Sequence, residues 1–510
     1  MVAKGSKLGF VVAGLLFSIL MASMDNTIVV TAMGTIVGDL GGLENFVWVV
    51  SAYMVAEMAG MPIFGKLSDM YGRKRFFIFG LIVFMVGSAL CGTADSIVQL
   101  GIYRAIQGIG GGALVPIAFT IIFDIFPPEK RGKMGGLFGA VFGLSSIFGP
   151  LLGAYITDYI SWHWVFYINL PLGILSLILI VLFYKESPVH QKQKIDWLGA
   201  ITLIGAVVCL MFALELGGQK YDWDSHFILS LFAGFTILSI VFLYVETKVD
   251  EPIISFNMFK NRLFAGSTIV ALLYGAAFMS ATVYIPIFIQ GVYGGTATNS
   301  GLLLLPMMFG SVVTAQVGGF LTSKMSYRNI MIISAVIMIS GLILLSSLTP
   351  ETSRVLLTIY MIIIGFGVGF SFSVLSMAAI HNFGMNQRGS ATSTSNFIRS
   401  LGMTLGVTIL GMIQRNDFQN QLEKAFSNVE GILKNGSFHD SRAILSEAAR
   451  TQIPKPILDK VIDALSSSIV HTFMWALVPA GLAFLFIFLM GNEKMVIRNT
   501  KKEVKNVSAN

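Results

Sequence analysis

Asp25, Glu57, Arg104 and Arg399 each interrupt a run of about twenty largely apolar residues. An ionisable side chain at the centre of a bilayer costs at least ~2.5–3.5 kcal/mol, so each of the four implies a role. Buried carboxylates and guanidinium groups can pair, exchange a proton, or recognise a charged solute. Two of the four are matched in sign and in depth. At ~1.5 Å per residue, Asp25 lies about 12 Å and Arg104 about 9 Å below the same end of their helices, with Glu57 deeper at about 16 Å. Arg104 beside Asp25 favours the charged carboxylate; apolar surroundings without it favour the protonated form. A movement that parts them therefore changes how tightly a proton is held. Asp25 is the expected proton-coupling carboxylate, and Glu57 a second titratable or cation-recognising group. The alternatives are a purely structural Asp25–Arg104 pair and a Glu57 that bonds a neighbouring helix. Arg399, in Arg399-Ser400-Leu401-Gly402, either meets a solute or tethers helix ends. Asn26, Tyr53, Tyr274, Phe278, Tyr284 and Gln290 are candidates for an adaptable pocket, or for core packing. The 26 Met and 40 Phe suit a repackable binding surface, although Met also faces lipid.

The elements that hold these residues follow from composition. Of 510 residues 55% are hydrophobic and only 12% charged, about half the charge of a soluble domain, and mean hydropathy is +0.77. Such a chain has too little polar surface to face water and is expected to be an all-α membrane protein. A helix needs about 20 apolar residues to span. Fourteen spans are expected, near 9–33, 46–65, 76–95, 98–124, 134–158, 163–184, 197–217, 226–246, 264–291, 297–321, 329–347, 353–380, 390–414 and 467–491. The first is too long, and runs on too directly into further spans, for a cleaved signal peptide. Alternate loops separate the positive charge. With the N-terminus in the cytoplasm, that side holds about 23 Lys and Arg, against Lys220 and Arg354 in the short opposite loops. Both termini are expected in the cytoplasm, in a multi-pass protein of the cell membrane.

The spans at 197–217 and 226–246 form a hairpin between basic segments, with an acidic, aromatic tip at Tyr221-Asp222-Trp223-Asp224. Six spans remain on either side. The expected organisation is a six-helix bundle over 1–184, an inserted hairpin with its linkers over 185–263, a second bundle over 264–491, and a basic cytoplasmic tail over 492–510. Within the second bundle an extracellular segment, 415–466, is expected to form a solvated cap or a lid. It would contain short amphipathic helices at Gln421–Phe426 and Ile457–Leu465. It also carries a sequon, Asn435-Gly-Ser437.

The loop after the second span reads Gly65-Lys66-Leu67-Ser68-Asp69-Met70-Tyr71-Gly72-Arg73-Lys74-Arg75. Its glycines permit a tight turn; Asp69 suits a helix N-terminus, and Arg73 suits a carboxylate, with Asp124 the expected partner. This loop resembles the cytoplasmic signature of the major facilitator superfamily. A degenerate echo, Gly319-Phe320-Leu321-Thr322-Ser323-Lys324 with Arg328, follows half a chain later, as repeated halves require; with Ser323 and Ser326 at the acidic and glycine positions it should not form the same lock. Arg104-Ala105-Ile106-Gln107-Gly108 resembles the family's intramembrane arginine motif. Gly143 and Gly149-Pro150-Leu151-Leu152-Gly153 resemble its antiporter motif, with Ala154 and Ser145 in place of two glycines. Asp25-Asn26-Thr27-Ile28-Val29 and Trp162-His163-Trp164-Val165-Phe166-Tyr167-Ile168-Asn169-Leu170-Pro171 resemble signatures of the fourteen-span drug:proton antiporters, with Val30, Gly34 and His163 as departures.

The resemblance spans essentially the whole chain and is nearest to multidrug exporters of Gram-positive bacteria. It implies the major facilitator fold and proton-coupled export of lipophilic, often cationic, drugs by a monomer. A transporter of a narrow metabolite or nutrient is the rival within transport; an integral membrane enzyme lacks any nucleophile–base–orienter set. There is no Gly-x-x-x-x-Gly-Lys-Ser/Thr loop, so the energy source is expected to be the proton motive force rather than a nucleotide. Cys91 and Cys209 lie in apolar runs, and the six histidines lack ligand spacing, so no disulfide, metal or cofactor is expected. The charge of +7 is spread over loops as a membrane anchor and does not point to nucleic acid.

Overall fold

In lipid a chain satisfies its backbone polar groups internally, and here the helix does so throughout. A computed structural model describes residues 7–40, 46–186, 195–218, 221–295, 297–426 and 454–495. The sequon and most of the basic tail lie outside the described residues. The helices are α1 (Leu8–Leu40), α2 (Phe46–Tyr71), α3 (Arg73–Cys91), α4 (Ile97–Ile125), α5 (Pro128–Tyr159), the short α6 (Trp164–Tyr167), α7 (Asn169–Phe183), α8 (Trp197–Leu216), α9 (His226–Glu246), α10 (Arg262–Gly291), α11 (Ala297–Leu321), α12 (Tyr327–Leu345), α13 (Arg354–Ile380), α14 (Arg388–Phe426) and α15 (Lys455–Ile487). Among the described residues 13 helical stretches are long and apolar enough to cross a membrane, α6 and α7 counting as one. The 26-residue α2 completes the fourteen expected from sequence.

Packing repeats between two bundles of six spans. In the first, α2 packs on α4, α3 on α4, and α1 on α5; in the second, α11 packs on α13, α12 on α13, and α10 on α14. The bundles meet where α5 runs along α11 and α2 along α14. The pair α8–α9 packs on itself and leans on α2. Small residues set the close approaches. A Cβ on Gly112 of α4 would lie 2.5 Å from the Glu57 carbonyl of α2, and one on Gly110 would lie 2.6 Å from the Gly80 carbonyl of α3.

One expectation is corrected. Gln421–Phe426 and Ile457–Leu465 are not separate short helices: they continue α14 and α15, which run for 39 and 33 residues. Hydropathy falls after residue 414, but an apolar seam persists. Phe418 and Leu422 of α14 and Val461 and Leu465 of α15 are buried. Polar pairs flank that seam, Gln414 Nε2 donating to Ser468 Oγ at 3.0 Å and His471 Nδ1 lying 2.8 Å from Asp417. The helices therefore stay paired beyond the apolar stretch, and Arg415 donates to the Gly218 carbonyl at the hairpin tip.

Candidate functional site

Asp25 of α1 and Arg104 of α4 form an ion pair, at 0% and 1% exposure. The pair is fully bonded. Gln107 Nε2 and Asn169 Nδ2 each donate to Asp25 Oδ1 at 2.8 Å. Arg104 also donates to Gln107 Oε1 at 2.7 Å and to the Val49 carbonyl at 3.3 Å. Asn169 reaches Ser88 Oγ at 3.0 Å, and Ser88 donates to the Phe166 carbonyl at 2.8 Å. Side chains or backbone from α1, α2, α3, α4, α6 and α7 thus join one network, in which α4 and α7 bond the carboxylate itself. Gln107 and Asn169 were not singled out from the sequence. Gln107 stands one turn after Arg104, and Asn169 lies inside the Trp162–Pro171 motif, so a polar residue on the arginine's helix face was the available signal.

Tyr53 belongs to this cluster rather than to an open pocket. It is fully buried, and the Arg104 guanidinium sits 4.2 Å over its ring. Its hydroxyl has no hydrogen-bond partner. Glu57, one turn further along α2, is only partly buried and accepts a hydrogen bond from the Asn26 side chain. Asn26, Glu57, Phe278 and Arg399 are all partly accessible at mid-helix positions. Arg399 donates to the Ser371 carbonyl at 3.2 Å and lies 5.5 Å over the Phe372 ring, and no carboxylate among the described residues pairs with it. Gln290 is partly buried near the end of α10. Tyr274 and Tyr284 are corrections. Both are buried, Tyr274 with its hydroxyl 2.9 Å from Ser334 of α12, and Tyr284 facing Gly411 of α14. They pack helices instead of lining the interior.

The loop after α2 assembles a lock at the end of the molecule that carries the Lys- and Arg-rich loops. Gly72 takes φ 106°, a conformation that favours glycine, and so turns the chain between α2 and α3. Asp69 accepts from the Gly389 N–H at 2.9 Å, the Ser390 N–H at 2.7 Å and the Ser390 hydroxyl at 3.1 Å, which makes it the anion at the N-terminus of α14. Arg73 pairs with Asp124 and with Asp69 and donates to the Met385 carbonyl at 2.6 Å. Arg388 closes the ring on Asp124 at 3.1 Å. Gly65 has no side chain because one would overlap Ser393 of α14. Gly65, Asp69, Gly72, Arg73 and Asp124 therefore act together, and the two bundles are closed at this end. Arg388 and the α14 terminus were missed, since nothing in Gly384–Ser390 marks a partner so far away in sequence. Nearby, Glu186 caps α3 by accepting from the Arg73 and Lys74 N–H groups at 2.7 and 3.1 Å, and burial pushes the neighbouring Tyr184 hydroxyl up.

The second copy of the loop makes no such lock among the described residues. Ser326 caps α12 through the Asn329 N–H at 3.3 Å, and Ser323 bonds its own helix. The stretch after α15 serves instead: the Glu493 carbonyl accepts from Tyr327 at 3.0 Å and its carboxylate from Asn382 at 2.9 Å. On α5, Gly149 and Gly153 pack against Thr27 and Ile28 of α1, Gly143 faces Val312 of α11, and Pro150 lies between. The motif thus places α5 between α1, which carries Asp25, and the opposite bundle.

Two six-helix bundles, the first enclosing a buried acid–base pair, locked together at one end by a charged loop, define a helical membrane transporter. The chain belongs to the Major Facilitator Superfamily, whose sequence profile matches residues 15–199 and 195–407. It is 59% identical to multidrug resistance protein 3 of Bacillus subtilis over 496 residues, covering 97% of each chain. It is 35% identical to the multidrug transporter protein MdtP of the same organism, over 98% of this chain and 96% of that one. The crystal structure of the human organic anion transporter MFSD10 shares the fold at a TM-score of 0.62 and 14% identity, over 95% of this chain and 100% of that one.

Proposed function

We propose that this protein exports lipophilic, often cationic, drugs across the cell membrane in exchange for protons, with Asp25 as the coupling carboxylate. The observation that carries the proposal is the Asp25–Arg104 pair, buried and braced by Gln107 and Asn169, with Tyr53 stacked on the arginine and a partly accessible Glu57 one turn from that tyrosine. The distribution of Lys and Arg supports an orientation with the basic end and both termini in the cytoplasm. With the cytoplasmic lock closed, Asp25 is paired with Arg104 and accepts from Gln107 and Asn169. A movement of α1 or α4 that parts it from Arg104 leaves a carboxylate in apolar surroundings, where it takes up a proton. Glu57 and Asn26 offer a lipophilic cation an opposite charge and an acceptor, while Phe278 supplies an apolar wall. Proton and cation thereby favour opposite charge states of one space, which is sufficient for exchange. The names of the relatives, and the resemblance of α1 and α5 to antiporter motifs, support the direction of transport.

The test is efflux of ethidium from cells expressing the protein, with and without a protonophore, in wild type and Asp25→Asn. The expected result is protonophore-sensitive efflux that disappears in the variant at equal expression. Active efflux by Asp25→Asn would remove Asp25 from coupling. No efflux of any cation by wild type would favour a narrow solute.

A further inference from the structure

The hairpin α8–α9 contributes nothing to the cluster around Asp25, yet its basic end buries two acids. Asp196 is 7% exposed and Glu246 4%. Asp196 caps α8: its Oδ1 accepts the Gly199 N–H at 2.8 Å, while its Oδ2 is buried with no hydrogen-bond partner. Glu246 closes α9 and accepts the N–H groups of Ile253 at 3.2 Å and Ile254 at 3.3 Å. Asp196 Oδ2, which has no partner, and Glu246 Oε1, which accepts from Ile253, both face Gly199. Both lie within 3.0 Å of the point where a side chain on Gly199 would begin, so the glycine leaves the space between them.

A buried acceptor without a partner costs about 1–3 kcal/mol. Two desolvated carboxylates facing each other add mutual repulsion. A single proton between Glu246 Oε1 and Asp196 Oδ2 removes both costs. The other charged groups do not offer an equal remedy. Lys66 of α2 acts on Glu246, but its ammonium is held by Glu251 at 2.6 Å. Asp250 and Glu251 of the linker after α9 add negative charge. We propose that Asp196 and Glu246 form a second proton-binding site, holding one shared proton, and that its occupancy fastens the linker 247–261 against the lock at the basic end.

The connection to the lock is direct. Glu246 anchors the linker at Ile253 and Ile254, the linker's Glu251 grips Lys66, and Lys66 adjoins Gly65, which packs on Gly389 and Ser393 of α14. A cleft of about 830 Å³, lined among others by Lys66, Glu246, Glu251 and Ser390, opens beside Glu246. Loss of the proton leaves two like charges where the start of α8 meets the end of α9. Their repulsion loosens the linker and, through Lys66, the contact between α2 and α14.

The experiment places a single reporter thiol, Ser255→Cys, in the cleft of a Cys91→Ala/Cys209→Ala protein reconstituted in nanodiscs. Its labelling rate by a maleimide, normalised to denatured protein at each pH, is followed from about pH 5 to about pH 9. The expected result is a severalfold rise with pH through a one-proton transition. Glu246→Gln and Asp196→Asn, which keep shape while removing the shared proton, should each label slowly and without that transition. Each should also lose a protonated-carboxyl band from infrared difference spectra. A flat profile in the parent, or an unchanged transition in both variants, overturns the proposal. A transition that moves with added calcium or magnesium assigns the site to a metal cation and overturns it too. If one variant fails to fold, the parent profile and the other variant still decide.

Discussion

Arg104 makes four contacts that depend on the shape of a guanidinium: the Asp25 carboxylate, Gln107 Oε1, the Val49 carbonyl and the Tyr53 ring. A lysine offers one compact charge and cannot serve all of them. Removing the cation leaves a buried carboxylate alone, which typically costs about 3–5 kcal/mol, whereas removing both charges together costs far less. Arg104→Ala should therefore lower the unfolding temperature sharply, and Asp25→Asn/Arg104→Gln should recover much of the loss. Thermal unfolding of the purified variants checks this, and a double variant no better than Arg104→Ala alone would contradict the pairing. His381, at the end of α13, gives a pH-dependent case. Burial pushes its imidazole below the usual 6.5, with Arg131 adding to the effect and Glu493 opposing it. Its neutral form stands 3.1 Å from the Tyr327 hydroxyl. A depressed imidazole contributes stability that is present above its ordinary value and lost as pH falls through the value in the folded protein. The unfolding temperature should decline modestly as pH falls below about 6.5, more steeply in wild type than in His381→Gln.

At the scale of elements, the lock depends on one helix end meeting one carboxylate. Asp69 supplies α14 with its N-terminal acceptor from another bundle, combining a cap with a charge at the helix dipole. Asp69→Asn keeps an oxygen but loses the charge and weakens the tie to Arg73. The expected cost is ~0.3–2 kcal/mol in stability from the lost charge at the helix end, with ethidium efflux slowed several-fold; unchanged efflux would show that the cap is not part of the transport cycle. This element also shows what a sequence reveals and what it hides. The turn at Gly72, the pairing of Arg73 with Asp124 and that of Asp25 with Arg104 were all legible, because residue type, spacing and depth constrain them locally. Gly389, Ser390 and Arg388 were not. They become partners only when two bundles close, and no periodicity near Gly384–Ser390 records a contact more than 260 residues away. Tyr274 and Tyr284 were misplaced for a related reason: a tyrosine's type does not say which helix face meets a neighbour. The extensions of α14 and α15 were read as separate pieces because hydropathy marks the lipid boundary, whereas Phe418 and Leu422, four residues apart, continue the helical seam past it.

For the whole molecule, alternating access requires that the contacts now joining the bundles at the basic end separate once per cycle. Those contacts run along two lines, α2 against α14 and α5 against α11. The second line offers a clean restraint. A Cβ on Gly139 would lie 3.2 Å from the Cβ of Ala315, close to the ~3.8 Å typical of a disulfide. Gly136 meets Gln316 and Gly143 meets Val312 on either side, so the helices approach evenly and the pair needs little backbone movement. In a protein with Cys91 and Cys209 replaced by Ala, Gly139→Cys/Ala315→Cys should oxidise readily, because the closed state already sets the geometry. The cross-link spans the bundles, so it should stop ethidium efflux almost completely, and reductant should restore it. Each single cysteine should transport with or without oxidant, which separates the tether from any effect of the substitutions. If the oxidised double variant, its cross-link confirmed by mass spectrometry, still exports, then α5 and α11 do not part during the cycle and solute leaves by another movement.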